Sequence, residues 1–186
     1  MVEFDLVDRA EDVEQILRLQ RVNHRTSVDA ETGRSQGYTT VQHDIDVLTA
    51  MNRRYPSVVA RSDGRVVGYC LMMAQDFRQR IEVLKPMFKM IDGLSWNGKP
   101  LAGDPRWFVM GQVCVAEGFR AMGVFDGMYA KLRERYADDF DLTITEVSRA
   151  NPRSLRAHRR VGFKTLHVYD DPGADETWEL VSWDWR

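Results

Sequence analysis

The sequence predicts one domain of the α/β (α+β) class, in which a mixed, mostly antiparallel sheet of about seven strands carries helices on both faces. Three observations predict it. The 186 residues are 44% hydrophobic, which suits one full core and leaves little room for a second domain. Apolar runs come first as a hairpin pair and then alternate with segments of helical periodicity. No internal repeat or low-complexity tract interrupts this series.

The N-terminal part of the chain is predicted to hold one strand and two helices. Val2–Leu6 alternates apolar and acidic residues, as a strand with one buried face does. Asp8 followed by Glu11 resembles a capping box that opens the first helix. Residues 41–51 carry a weaker helical pattern. The polar stretch 23–38 between the helices is either a loop that borders a binding site or a plain surface excursion.

A hairpin and an irregular segment are predicted next. Residues 56–61 and Arg65–Met73 are apolar runs joined through Asp63-Gly64, a pair that tolerates the positive φ of a tight turn. Residues 75–105 begin with charge, include a possible helix over 82–91 interrupted by a proline, and end in Gly and Pro. We interpret this segment as an insertion whose aromatic and methionine side chains either line a pocket or pack in the core.

The C-terminal half is predicted to alternate strands and helices. Trp107–Val115 is apolar and nearly uncharged, as expected of a strand buried on both faces. Val124–Tyr136 has apolar residues at helical spacing. Pro152–Val161 has firm helix ends, with Asn151 as N-cap and Gly162 as C-cap. Three further strands are expected, at residues 141–147, 164–169 and 177–185.

Charge and composition exclude several classes of function. A net charge of -2 without a basic tail argues against a nucleic-acid partner. No run approaches the roughly 20 apolar residues of a membrane span, and the acidic N-terminus lacks the core of a signal peptide, so we expect a cytoplasmic protein without a membrane partner. Cys70 and Cys114 lie in apolar runs and are expected to be reduced packing thiols. His24, His43 and His167 lack metal-ligand spacing, so no metal is expected.

A strand–turn–helix in the middle of the chain is the first candidate binding site. Gly118 to Gly123 separates the strand at Trp107–Val115 from the helix at Val124–Tyr136. The first turn of a helix offers unpaired N–H groups and about half a positive charge, and Arg120 adds a charged donor. The turn therefore predicts an anion site. A nucleotide phosphate loop fits poorly because no Gly-Lys-Ser/Thr follows, and the glycines of a dinucleotide fingerprint are missing.

A second motif lies about thirty residues downstream, and the two motifs together carry a resemblance. Arg120-Ala-Met-Gly123-Val-Phe125 followed by Asn151, Ser154, His158 and Gly162-Phe163 resembles the GNAT acetyltransferase superfamily. In that family Arg-Gly-x-Gly-x-Gly/Ala opens the helix after the fourth strand and holds the coenzyme A pyrophosphate on backbone amides. The Asn, the small residue, the Tyr or His and the Gly-Phe follow the fifth strand. The order of elements is also similar along the whole chain, although the motifs themselves cover only residues 113–163.

The resemblance implies one GNAT-like domain over residues 1–186, with 75–105 as an insertion on the acceptor side. It implies acetyl-CoA as cofactor and an N-acetyltransferase that acetylates a primary amine, of a small molecule, by direct attack. Ala121 departs from the motif by replacing its first glycine, and Phe125 by standing where glycine or alanine lets the diphosphate approach. The implied coenzyme-binding residues are Val113, Cys114, Val115, Arg120, Ala121, Met122, Gly123, Val124, Phe125, Asn151, Ser154 and His158.

Acetyl transfer to an amine needs a base and a proton donor. A lysine-like amine is neutral about once in 2,500 molecules at pH 7, a cost of roughly 4.6 kcal/mol, so a base is expected close by. Glu146 is the candidate, because peptide-acetylating members of the family have a Glu at this spacing; otherwise it only accepts hydrogen bonds at a strand end. Gln112 could orient a water. His158 stands where the family often has a Tyr as general acid, and the alternative is a histidine that contacts coenzyme or packs.

Other interpretations of the same residues stay open. A non-catalytic acyl-CoA-binding sensor would keep the motifs without the chemistry. A peptide or protein N-acetyltransferase is suggested by Glu146, whereas the polar loop and the insertion favour an enclosed small acceptor. Four arginines on the second motif either reach the adenosine phosphate or form a solvated face: Arg153, Arg156, Arg159 and Arg160. The last strands could pair two copies in a homodimer.

Overall fold

A seven-stranded sheet organises the chain, which the computed structural model describes over residues 1–28 and 37–186. The strands of this sheet are β1 (Val2–Leu6), β2 (Val58–Ser62), β3 (Arg65–Met73), β6 (Trp107–Val115), β7 (Leu142–Ser148), β8 (Lys164–Asp171) and β9 (Glu176–Asp184). A separate short hairpin is formed by β4 (Ser95–Trp96) and β5 (Lys99–Pro100). The α-helices in the described residues are α1 (Ala10–Asn23), α2 (Ile45–Arg54), α3 (Lys85–Asp92), α4 (Val124–Tyr136) and α5 (Pro152–Val161).

The sheet has the order β1-β2-β3-β6-β7-β9-β8, and every neighbouring pair is antiparallel except β6 and β7. Helices α1, α2 and α3 pack on one face, and α4 and α5 pack on the other. The predicted fold class, a mixed and mostly antiparallel sheet between two helical layers, is confirmed. In the described part of the chain, no helix has the length and apolar character needed to cross a membrane.

The parallel pair at the centre of the sheet separates along its length. Only Trp107–Val109 of β6 pairs with β7, at residues 142–144. Beyond that point β6 carries one extra residue, Gly111, because Leu71 of β3 pairs with Gln112 while the next β3 residue pairs with Met110. A bulge of this kind bends its strand and redirects the residues beyond it. The ends of β6 and β7 therefore leave a gap between them in the middle of the sheet.

The first helix begins differently from the sequence prediction. The expected capping box of Asp8 and Glu11 is wrong, because the carboxylate of Asp12 accepts the backbone N–H groups of Asp8 at 3.3 Å and Arg9 at 3.2 Å. Asp12 also accepts a hydrogen bond from the buried guanidinium of Arg61 at 2.6 Å. Arg61 comes from β2, so a contact distant in sequence selects which acidic residue closes the helix end.

The second helix is also shorter at its start than predicted. It begins at Ile45 rather than near residue 41, because the Asp44 side chain accepts two backbone N–H groups of the first turn. Val41 is apolar for another reason: it is buried ahead of the helix, and its carbonyl accepts a hydrogen bond from Gln112. Of the polar loop predicted over 23–38, residues 29–36 lie outside the described residues.

The segment 75–105 forms two 3₁₀ turns, α3 and the β4–β5 hairpin. Pro86, which was expected to interrupt a helix over 82–91, stands in the first turn of α3, where its missing N–H costs nothing. Phe77, Met87 and Phe88 are buried in the core beneath α1. This fully described segment contributes no residue to the two cavities that adjoin the separated strands, and its placement on the acceptor side stays a prediction.

Candidate active site

A cleft of about 280 Å³ opens where β6 and β7 separate. It is lined by the end of β6, the turn before α4, the first turns of α5 and the segment 37–39. All the residues predicted to bind coenzyme line this cleft except two. Met122 has a side chain that is 64% exposed, and His158 is buried behind the cleft wall. The separated strands thus bring together residues that lie almost forty positions apart in the sequence.

The turn from Arg120 to Gly123 places the start of α4 at this cleft. Ala121 has φ +62° and Gly123 has φ +77°, so two left-handed residues reverse the chain just before the helix begins at Val124. Such a backbone is strained for alanine and not for glycine. This explains why a glycine suits the position that Ala121 occupies. A Cβ on Gly123 would meet nothing within 4 Å, which leaves open space in front of the helix N-terminus.

Arg120 is held against both sides of the cleft. Its Nε donates to the carbonyl of Val115 at 3.0 Å, and one terminal nitrogen donates to Oδ1 of Asn23 at 2.6 Å. The guanidinium therefore ties the turn before α4 to the end of β6 and to the end of α1. Its position, and the charge that it brings, are fixed before any ligand arrives.

Three of the four arginines of α5 line the cleft. Arg153, Arg156 and Arg160 line the cleft together with Arg120. Burial and the nearby guanidiniums of Arg120 and Arg156 lower the pKa of Arg153. Arg159 does not line the cleft and pairs at 2.8 Å with a glutamate on β9. Like charges held this close favour an anionic ligand between them, which suits a polyphosphate.

The segment 37–39 closes the cleft from the other side. Gly37 and Tyr38 end the polar stretch 23–38, for which a loop that borders a binding site was one of two interpretations, and Thr39 lies just beyond it. The Tyr38 carbonyl accepts a hydrogen bond from Nδ2 of Asn151 at 3.4 Å. The N–H of Thr39 donates to the Asn23 carbonyl at 2.9 Å. Only the polar composition of the stretch and Gly37 could have drawn attention to it, because its contacts join parts of the chain more than 100 residues apart.

Thr39 provides a test of whether the cleft suits a polar ligand. Its hydroxyl is buried and has no hydrogen-bond partner among the described residues. An unsatisfied buried hydroxyl costs about 1–3 kcal/mol, so a polar ligand that reaches it gains a bond the free protein lacks. Acetyl-CoA offers both amide and phosphate groups. The unpartnered hydroxyl, the arginines and the open N-terminus of α4 together fit such a cofactor.

A second, smaller cavity of about 70 Å³ adjoins the cleft and contains Glu146. The two cavities share five lining residues, Tyr38, Thr39, Val113, Asn151 and Ser154. Burial raises the pKa of Glu146 to about 7, and the charge of Asp171 adds to this rise. The hydrogen bond that the Tyr169 hydroxyl donates to Glu146, at 2.5 Å, opposes it. At neutral pH Glu146 is therefore close to half ionised, as a base that takes up and releases protons must be.

His158 lies in a different environment from the one its predicted role needs. It is 1% exposed, its Nδ1 lies 2.8 Å from the Ser154 carbonyl, and its Nε2 lies 2.7 Å from the Tyr129 hydroxyl. The carbonyl requires a proton on Nδ1, so Nε2 accepts from Tyr129. Burial lowers the pKa of His158 to about 4. The Phe125 ring packs against the imidazole, with 5.2 Å between the ring centroids. A neutral ring with both nitrogens bonded gives no support to the proton-donor role.

The side chains of Gln112 and Cys114 are buried on the α1 side of β6. Oε1 of Gln112 accepts the Tyr69 hydroxyl at 2.6 Å, and its Nε2 donates to the Val41 carbonyl at 2.8 Å. The role of orienting a water thus gains no support either. Cys70 and Cys114 are free and buried, and burial raises the pKa of the Cys114 thiol to about 11. Among the described residues, no group of three or more His, Cys, Asp or Glu is placed to hold a metal ion.

Comparison with known proteins places this geometry in a family. The model of the acetyltransferase (GNAT) family matches residues 14–163, a span that contains both motifs. No curated protein sequence matches the chain.

Solved structures show the same fold at low identity. The ribosomal-protein-S18-alanine N-acetyltransferase of Escherichia coli is 9% identical, with a TM-score of 0.63 over 99% of this chain and 94% of that one. The yncA protein of Salmonella typhimurium, solved with its cofactor acetyl-CoA, is 14% identical, with a TM-score of 0.66 over 100% of this chain and 95% of that one. An N-acetyltransferase of Staphylococcus aureus Mu50 is 14% identical, with a TM-score of 0.65 over 100% and 99%. The chain therefore belongs to the acetyltransferase (GNAT) family, whose cofactor is acetyl-CoA.

Proposed function

We propose that the protein is an acetyl-CoA-dependent N-acetyltransferase that acetylates a primary amine, of a small molecule, by direct attack and without a covalent enzyme intermediate. The observation that carries the proposal is the position of Glu146. This carboxyl group, with a pKa of about 7, lies in a cavity that meets the arginine-lined cleft at shared residues. Base and cofactor site are thus neighbours.

The cleft residues divide the cofactor between them. Arg120, Arg153 and Arg156 and the N-terminus of α4 would hold the pyrophosphate. Val113 and Val115 pair with β3 but not with β7, and this open edge of β6 would face the pantetheine arm. The hydroxyl of Thr39 would gain its missing partner there. When bound, acetyl-CoA supplies the activated acetyl group and a thiolate leaving group.

Glu146 reduces the cost of making the amine neutral. An ordinary glutamate with a pKa near 4.3 lies about 6 pKa units below a lysine-like amine. Burial raises the pKa of Glu146 to about 7 and so narrows the difference to about 3.4 pKa units, which lowers the cost of the proton transfer by roughly 4 kcal/mol. These properties support general-base catalysis by Glu146, directly or through a water.

His158 is better suited to packing than to proton transfer. Its bonds to Ser154 and Tyr129 join α5 to α4 behind the cleft. We therefore assign His158 the task of holding the first turn of α5, with Asn151 and Ser154, against the cofactor site. The second candidate function, an acyl-CoA sensor without turnover, is favoured by this same observation, because the residue at the expected acid position offers no proton.

A thiol-release assay with acetyl-CoA and a panel of primary amines tests the proposal, with mass spectrometry of the products. We expect amine-dependent thiol release, a product that carries one acetyl group, and loss of release in Glu146→Gln while coenzyme affinity stays unchanged. Coenzyme binding without release for any amine would support the sensor. Release that Glu146→Gln leaves untouched would overturn the role of Glu146.

A further inference from the structure

The small cavity around Glu146 has a distinctive charge distribution. Among the described residues that line it, Glu146 is the only one that carries a formal charge, and the rest are hydroxyl, amide, aromatic, apolar or neutral histidine side chains. The four arginines of the site line the coenzyme cleft and not this cavity. The arginines that line a cavity thus lie on the coenzyme side of the junction, and the acceptor side is lined by a carboxyl group.

Further acidic side chains surround this cavity from β8 and β9. The Asp171 carboxylate, half-buried at the end of β8, adds to the rise in the pKa of Glu146, although burial is its main cause. Glu176 is 8% exposed and accepts a hydrogen bond from the Ser148 hydroxyl, which lines the cavity, at 2.8 Å. Arg25 reaches this edge, but its guanidinium lies 3.6 Å from Glu176 and is already paired there.

We propose that the acceptor is a primary amine without a carboxylate or phosphate beside the amino group, an inference that rests on the function proposed above. An ammonium group entering the cavity meets Glu146 and the aromatic ring of Trp178, both of which attract a cation. The Tyr38 ring already has the guanidinium of Arg25 5.7 Å from its centroid. An α-carboxylate carried on the same carbon would enter with it. That carboxylate would meet Glu146, with the charge of Asp171 near it, and no described cation lining the cavity, so like charges would repel it.

Three amines built on one carbon skeleton test the inference. Ethylamine is alanine without its carboxylate, and alaninamide is alanine with the carboxylate made neutral. Removing the carboxylate raises the basicity of the amine and converting it to an amide lowers it, so basicity cannot explain a preference for both over alanine. We expect kcat/KM for ethylamine and for alaninamide to exceed that for alanine by about tenfold or more. Equal or better use of alanine would overturn the inference.

A pair of variants separates charge from shape. Asp171→Asn removes a charge that acts on Glu146, and Asp175→Asn removes an exposed charge from the same turn. We expect Asp171→Asn to reduce the preference for ethylamine over alanine severalfold and Asp175→Asn to leave it unchanged. An unchanged preference in both variants would show that cavity shape sets it and would overturn the electrostatic argument. If no amine releases thiol although coenzyme binds, the proposed function itself fails.

Discussion

Replacing Glu146 by Gln should make the protein more stable at alkaline pH while it removes the proposed base. Burial raises the pKa of Glu146 from the ordinary value of 4.5 to about 7, so the ionised form is less favourable in the folded state than in the unfolded state. At about 1.4 kcal/mol for each pKa unit, the full penalty is about 3.5 kcal/mol. The side chain keeps some contact with solvent, so about 2–3 kcal/mol is the expected range.

The sign of the pH dependence is set by proton binding. Between pH 4.5 and 7 the folded protein holds the Glu146 proton more firmly than the unfolded chain does, so this group lowers stability progressively as the pH rises through that window. A glutamine carries no charge at any pH and is free of the penalty. At pH 5 the free energy of unfolding of the variant should therefore exceed that of the wild type by less than about 1 kcal/mol. At pH 8 this difference should be larger by about 2 kcal/mol.

Urea unfolding followed by tryptophan fluorescence, at pH 5 and pH 8, measures this difference, and the chain has five tryptophans as probes. Glu179→Gln on β9 is the matched control. Burial alone would raise the pKa of Glu179, but hydrogen bonds from Thr165 at 2.6 Å and Arg159 at 2.8 Å outweigh burial and lower it. Its replacement should therefore destabilise the protein at pH 8. A stability difference for Glu146→Gln that does not change with pH would refute the raised pKa, and with it the reason for choosing this residue as the base.

Three further substitutions test separate parts of the site. Ala121→Gly should raise the free energy of unfolding by about 0.5–1 kcal/mol, since glycine adopts the observed φ of +62° without strain; a lower melting temperature would contradict this. His158→Phe should lower the free energy of unfolding by about 1–3 kcal/mol, because the buried Tyr129 hydroxyl loses its acceptor. The same variant should leave the pH profile of kcat unchanged. Loss of an ionisation from that profile would restore the proton-donor role. Arg156→Ala should weaken coenzyme binding in calorimetry about tenfold, whereas Arg159→Ala, the same change at an α5 position that does not line the cleft, should not. Equal effects would mean that only net charge matters.

Local signals explain why the two motif-bearing units could be predicted from the sequence. The strand at Trp107–Val115 and the helix at Val124–Tyr136 have the predicted bounds, because an uncharged apolar run and a helical period are both visible within a few residues. The helix at Pro152–Val161 has the predicted ends: the Asn151 side chain accepts the Ser154 N–H at 3.2 Å. The hairpin at Asp63-Gly64 likewise has both residues at positive φ.

The features that the sequence did not reveal depend on contacts between distant parts of the chain. The separation of β6 from β7 results from a bulge at Gly111 that only the pairing with β3 defines. The neutral state of His158 results from its burial against Tyr129, which a helical position alone does not indicate. The contribution of Thr39 results from the path of a loop across the end of α1. The pKa of Glu146 likewise depends on burial and on Tyr169, a residue on another strand.

Calorimetric titration of the protein with acetyl-CoA tests the central claim, that the gap between β6 and β7 is a coenzyme site, most directly. We predict saturable binding with one site per chain, weakened by added salt because the proposed site would hold the coenzyme phosphates on the arginines of the cleft. Thermal unfolding at a hundredfold excess over the dissociation constant should show about 2.7 kcal/mol of added stability. No heat of binding and no thermal shift at millimolar acetyl-CoA would contradict the account.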